Sequence, residues 1–181
     1  FQTRVGDFGC IQHPQHSCIG ASPDGINIDP SSNRYGRMLE IKNIVNREIT
    51  GIPKDEYWIQ TQIQMETCDL DECDFVETRF KEYESERDFY EDDARKYKGV
   101  ILNFIPSCSD NGFAPVYKYM PLTVPLDPSS VNLWVSTTRE EAKREGLALF
   151  SVLYWYMDQF SCVLIPRNKE WFHAAFPKIE E

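Results

Sequence analysis

Three side chains could do chemistry together: Asp24, in the glycine-flanked corner "GASPDGI", and Glu40 and Lys42, in "LEIKNI". Along an extended strand, residues i and i+2 share a face. Glu40 and Lys42 therefore project together, and Ile41 is expected to point away into the core. An isolated buried acid–base pair is expensive and seldom stabilises a fold. A divalent cation changes that balance, because two carboxylates and a backbone carbonyl form a hard-oxygen site suited to Mg²⁺, which keeps several waters of its own. The chemistry this points to is metal-assisted phosphodiester hydrolysis. Asp24 and Glu40 would hold the metal, with the Ile41 carbonyl as an additional ligand. Lys42 would orient or deprotonate the nucleophile and offset developing negative charge.

The elements must bring these groups together. Residues 17–28 read as one strand and "RMLEIKNI" as its return, joined by the turn cluster "DPSSN", so Asp24 is carried beside Glu40 in a β-hairpin. Pro23 stiffens the approach and Gly25 frees the backbone after it. Gly51 and Pro53 punctuate the next stretch, and acids open a helix expected over about 55–68. On that helix Tyr57, Gln60 and Gln64 form one stripe. Neutral amides there can orient a water or a phosphate without repelling a metal, with Gln64 read as the wetter end. Arg34 and Arg37, beside the hairpin, are either a solvated turn or a phosphate-tracking rim, and Arg47 and Lys54 share that ambiguity.

Further on, "CDFVETRF" reads as a strand, the acidic run 81–98 as a solvated loop with a short helix, and "GVILNFIP" as a buried strand. "CSDNG" is a turn, "VYKYMPL" is extended and "TTREEAKREGLALF" is helical. "VLYWYMDQFSCVLIP" reads as two strands about Asp158-Gln159, and the last stretch as an amphipathic helix capped by Asn168. Strands and helices are interspersed, so the class is α/β or α+β with a mixed sheet.

The 181 residues fit one domain, and the net charge of −10 is concentrated: residues 65–98 carry 13 acidic against 6 basic side chains, hence −7. Such a balance disfavours a simple basic-patch binder of nucleic acid, though not an enzyme whose metal supplies positive charge. No apolar run is long enough to span a bilayer, and no signal peptide is recognisable, so an intracellular protein with no membrane partner is expected. Six scattered cysteines with no C-x-x-C then read as reduced thiols. "CIQHPQHSC" places Cys10, His13, His16 and Cys18 within nine residues. All are zinc-ligand types, but the spacing is cramped for a zinc finger, and a loop entering a strand is the simpler reading.

Ser22-Pro23-Asp24, then Glu40-Ile41-Lys42, then Gln60-Thr61-Gln62 on a helix resembles the PD-(D/E)xK nuclease superfamily. More closely, "GASPDGI", "LEIKNI", "YWIQTQIQM" and "CDFVE", in that order, resemble the phage lambda exonuclease and YqaJ-type viral recombinase family over about residues 9–80. The resemblance implies a restriction-endonuclease-like core, a mixed central β-sheet flanked by helices, in one domain. It matches Asp24 and Glu40 to the metal-binding carboxylates, Lys42 to the catalytic lysine, and Gln60 to the glutamine that contacts the active-site water. Ser22, Gln62 and Tyr57 are assigned to substrate, with Arg34 and Arg37.

It further implies a Mg²⁺-dependent exonuclease, Mn²⁺ substituting, that digests linear double-stranded DNA from the 5′ end in viral or phage recombination, replication or repair. A single-strand annealing protein and further copies of the chain are expected partners, in host cytoplasm or a virus factory. An endonuclease of the same fold acting on DNA or RNA, and an inactive DNA- or protein-binding module, are the other readings. The family's upstream helix with a further acid has no counterpart here and is expected before Phe1. The acidic stretch 82–93 has no family role and reads as surface.

Overall fold

A computed structural model of the chain describes residues 3–106 and 114–180. The turn expected at 108–112, with Cys108, lies outside the described residues. In chain order the elements are β1 (Val5–Gly6), β2 (Ile11–Gln12), β3 (Gly20–Ala21), β4 (Gly25–Asn27), β5 (Met38–Asn43), α1 (Asp55–Cys68), β6 (Glu72–Glu82), α2 (Glu86–Glu91), β7 (Lys98–Pro106), β8 (Val116–Tyr119), α3 (Pro128–Arg144), β9 (Leu147–Pro166) and α4 (Lys169–Ile179). They form two compact units, Phe1–Arg79 with Gln159–Glu181, and Phe80–Asp158.

In the first unit the strand order is β1-β4-β5-β6-β9. The hairpin is antiparallel, with Gly25 opposite Leu39 and Ile26 opposite Met38. After β5 the chain crosses over through α1 and returns as β6 parallel to β5, Glu40 opposite Phe75 and Lys42 opposite Glu77. The sheet is therefore mixed. Met38, Met65, Cys73, Phe75 and Ile165 pack between it and α1, with Tyr57, Trp58 and Leu70 at the margin. The mixed α/β architecture expected from the sequence is present, a mixed sheet with helices packed on it. A separate two-stranded ribbon, β2 with β3, carries the His13–His16 turn against α4: His13 stacks on Phe172 at 5.9 Å and His16 lies 3.8 Å from Phe176. Cys10 and Cys18 are exposed and free, so this turn is a packing motif.

The second unit orders its strands β9-β7-β8, all antiparallel. One face is covered around Phe89, Val100, Leu102, Phe104, Met120, Val131 and Ala142. Phe89 belongs to α2, so the acidic stretch 82–93 is not only a solvated surface: it buries a phenylalanine completely. Lys98 Nζ reaches back to the carbonyls of Phe89 and Asp92, each at 2.5 Å, and closes the end of that segment.

Several expectations need correction. The strand over 17–28 is interrupted at Ser22-Pro23-Asp24, because β3 and β4 pair with different partners. The third helix starts at Pro128, capped by Asp127, and stops at Arg144 before Gly146, whose φ of 76° ends it; "LALF" beyond is strand. β9 is one strand of 20 residues, not two. Gly25 matters for space, not for freedom: a Cβ there would sit 2.3 Å from a Val5 methyl, and its φ is not positive. No helix among the described residues is long and apolar enough to cross a membrane.

Candidate active site

Strand β5 presents its two faces the opposite way from the sequence expectation. Met38, Glu40 and Lys42 face α1, and Glu40 is 2% exposed. Ile41, expected in the core, is 41% exposed. The polar pair is inside because α1 supplies amides to meet it. An ionised carboxylate at that depth needs nearly all of its acceptor capacity filled. Glu40 Oε1 accepts from Lys42 Nζ at 2.5 Å and from Gln60 Nε2 at 2.8 Å, and Oε2 accepts from Gln64 Nε2 at 2.9 Å. Gln60 Oε1 accepts a second Lys42 proton at 3.0 Å. Lysine, glutamate and glutamine thus close a ring of three hydrogen bonds.

Asp24 arrives from the other side. Its Oδ2 accepts from the backbone N–H of Ile41 at 2.7 Å, the peptide unit between Glu40 and Lys42. The hairpin register that sets Gly25 opposite Leu39 makes this contact possible. Asp24 is exposed, whereas Glu40 is buried. A neighbouring groove of about 480 Å³ has Ser22, Gln60 and Gln64 on its wall beside Glu56, Ile59 and Ile63, while Asp24, Glu40 and Lys42 do not line it.

The donor set fits a hard divalent cation that keeps its own waters. Glu40 spends three of roughly four acceptor positions on hydrogen bonds, leaving one on Oε2. Asp24 Oδ1 has no hydrogen bond among the described residues. No group of three or more His, Cys, Asp or Glu side chains among the described residues is placed to hold a metal. A cation here would rest on two carboxylates, main-chain oxygen and water, which suits Mg²⁺ better than zinc.

The remaining sequence candidates divide. Tyr57 stacks near Phe75 and stands under three cations: Lys42 Nζ at 5.2 Å from the ring centroid, the Arg47 guanidinium at 5.8 Å and Lys54 Nζ at 5.9 Å. Arg47 is held there by Glu77, a buried carboxylate beside Lys42 in the β5–β6 register. Arg34 and Arg37 face elsewhere, paired with Asp74 and Glu72, and those carboxylates hold both guanidiniums more firmly protonated than usual. Gln62 is not at the site. Its amide is buried and joins α1 to the start of α4, donating to Pro166 O at 3.0 Å and accepting from Asn168 N–H at 2.6 Å. Ser22 touches the site through its carbonyl, which accepts from Gln64. Gln64 was read as the wet end of the stripe, yet it is 5% exposed and bonded to Glu40. The signal was present in the sequence: Gln64 lies one turn beyond Gln60, on the same face as Glu40's partner. Burial, reinforced by Glu40 and Asp74, pushes the Cys73 thiol up, so it stays protonated filler under the sheet.

Fold and site together define a mixed α/β core with a carboxylate pair and lysine at the hairpin and an amide helix across from them. In comparison with known proteins, residues 1–71 match the model of the YqaJ-like viral recombinase domain. Over that stretch the resemblance read from the motifs is shown. An uncharacterized protein of Acanthamoeba polyphaga mimivirus is 31% identical over 209 aligned residues, covering 98% of this chain. Two crystal structures of LHK-Exo, one in complex with dAMP and one described as an alkaline exonuclease from Laribacter hongkongensis, align at 21% identity over 79% of this chain, with a TM-score of 0.34. The chain spans 38% of the mimivirus protein and 60–61% of the LHK-Exo chains.

Proposed function

We propose that Asp24, Glu40, Lys42 and Gln60 form the active site of a Mg²⁺-dependent deoxyribonuclease that digests linear duplex DNA from its ends, 5′ to 3′, in viral recombination or replication. Mn²⁺ substitutes for Mg²⁺. The observation that carries this reading is the convergence of the acid–base pair of β5 with Asp24 on one side and Gln60 on the other. A buried carboxylate–lysine pair is seldom a net stabiliser of a fold.

When bound between Asp24 and Glu40, the cation supplies positive charge for the phosphoryl oxygen and acidifies water. The chain's own residues do the rest. Glu40 is locked by three hydrogen bonds, so its free acceptor position is fixed before substrate arrives. Lys42, held between Glu40 and Gln60, places its ammonium where negative charge grows on the scissile phosphate. Tyr57, with Arg47 and Lys54 around it, forms a basic rim in an otherwise acidic chain, and that rim tracks backbone phosphates. Arg34 and Arg37, paired with Asp74 and Glu72 away from this rim, contribute less. A single-strand annealing protein would take up the strand left behind, inside the infected cell.

End-labelled linear duplex, a covalently closed circle and RNA, each incubated with Mg²⁺, test the proposal, with Glu40→Ala and Lys42→Ala as controls. Release of label from linear DNA alone, lost in both variants, is the expected result. Cutting of the circle or of RNA would make the protein an endonuclease of this fold. Inertness toward all three would make it a binding module.

A further inference from the structure

We infer that Gln64 is a positioning residue that fixes Glu40 relative to the Ser22-Pro23-Asp24 corner, an inference that rests on the reading of this site as a divalent-cation centre. The side-chain NH₂ carries two hydrogens, and both face acceptors: Glu40 Oε2 at 2.9 Å and the Ser22 carbonyl at 3.3 Å. An amide oxygen could serve neither acceptor, so the chemistry of the partners sets which way the amide is turned. One bond ends on the carboxylate of β5. The other ends two residues before Asp24, on the segment leading into β4. A single planar group thus spans the two chain segments that supply the cation's ligands.

Gln60 does something different, since it clamps Lys42 to the other oxygen, Glu40 Oε1. With Oε1 held by Lys42 and Gln60, the angle of the carboxylate plane is decided at Oε2, by Gln64. The cost of this arrangement is visible on the same side chain. Gln64 Oε1 is buried and has no hydrogen-bond partner among the described residues. A buried, unpaired amide oxygen is destabilising, and it is offset by what the NH₂ of the same group holds, Glu40 and the Ser22 carbonyl. The amide tolerates an unpaired oxygen while its NH₂ orders the ligand, as expected of a group acting through its neighbour.

The test is calorimetric titration of Mg²⁺ into the full chain without DNA, comparing the native protein with Gln64→Met and Gln64→Leu, alongside urea denaturation of the metal-free proteins. Both substitutions keep side-chain volume and remove the orphaned oxygen, but they leave buried Glu40 Oε2 and the Ser22 carbonyl one donor short, so metal-free stability should fall modestly, and the role is read from the Mg²⁺ affinity of the folded protein. Affinity for Mg²⁺ should fall about tenfold, the lower end of what loss of an outer ligand-orienting contact costs. Native-like affinity in either folded variant overturns the role of Gln64 and leaves the cation reading intact. Loss of stability in both variants with unchanged affinity of the folded protein also overturns it, marking Gln64 as a packing residue. Failure of the native chain to bind Mg²⁺ overturns both readings at once.

Discussion

Lys42 is the residue on which charge bookkeeping turns. It is the cation bonded to Glu40, and Glu40 is almost wholly buried. Lys42→Ala should therefore have two separable effects. Turnover on linear DNA should fall by about 10²–10³, the usual loss when a group stabilising transition-state charge is removed, with KM changed much less. Stability should fall by about 1–3 kcal/mol, because Glu40 is left with one donor fewer in a poorly solvated place. Steady-state kinetics and urea denaturation read the two independently. A variant that lost stability but kept its turnover would make Lys42 a structural counter-ion and nothing more.

At the level of elements, the junction of α1 with α4 decides whether the amide stripe stays aimed at β5. Gln62 closes that junction from inside, and Arg167 closes it from outside by pairing with Glu66 and Asp69 at 2.8 Å each. Gln62→Leu strands the carbonyl of Pro166 and the N–H of Asn168, so it should cost about 1–3 kcal/mol. Mg²⁺ affinity of the folded protein should be unaltered. Direct loss of DNA contacts without loss of stability would instead restore Gln62 to the substrate-binding set.

The β2–β3 ribbon adds a pH dependence. His13 Nδ1 accepts from the backbone N–H groups of Gln15 and His16. Burial first, then the charge of His16, lowers its proton affinity, with Glu66 opposing and Arg167 assisting. A group whose folded pKa is depressed contributes stability that is whole above its unfolded value and is lost as pH falls through the folded one. The urea midpoint should therefore begin to drop as pH falls below the ~6.5 of a free imidazole and go on dropping toward the lower folded value. His13→Phe, which keeps the stacking on Phe172, should flatten that drop.

For the whole molecule, the net charge of −10 limits how the chain can hold DNA. Among the described residues, Arg47 and Lys54 extend the basic rim around Tyr57 beyond Lys42. Two or three phosphate contacts correspond to a slope of about −2 to −3 in log affinity against log salt. DNA binding measured by anisotropy should show that shallow slope and should weaken on removal of divalent cation. A slope several-fold steeper would point to a larger basic surface than the one around Tyr57.

The sequence by itself determined the site's ingredients and their order. A corner, a strand and the next helix are consecutive in the chain, so local signals suffice: Pro23 beside Asp24, the i and i+2 spacing of Glu40 and Lys42, and the helical stripe Tyr57, Gln60, Gln64. The bounds of α1 and the Asn168 cap of α4 were legible for the same reason. Tertiary structure decided which face of each element is covered, because periodicity says only which residues share a face. Packing against α1 turned Glu40 inward and Ile41 outward. Docking on α4 withdrew Gln62 from the site, and the fit of α1 over β5 brought Gln64 to Glu40. Those outcomes depend on contacts between residues 20 to 106 positions apart, where the energy of burying one face against another outweighs any preference written into the local sequence.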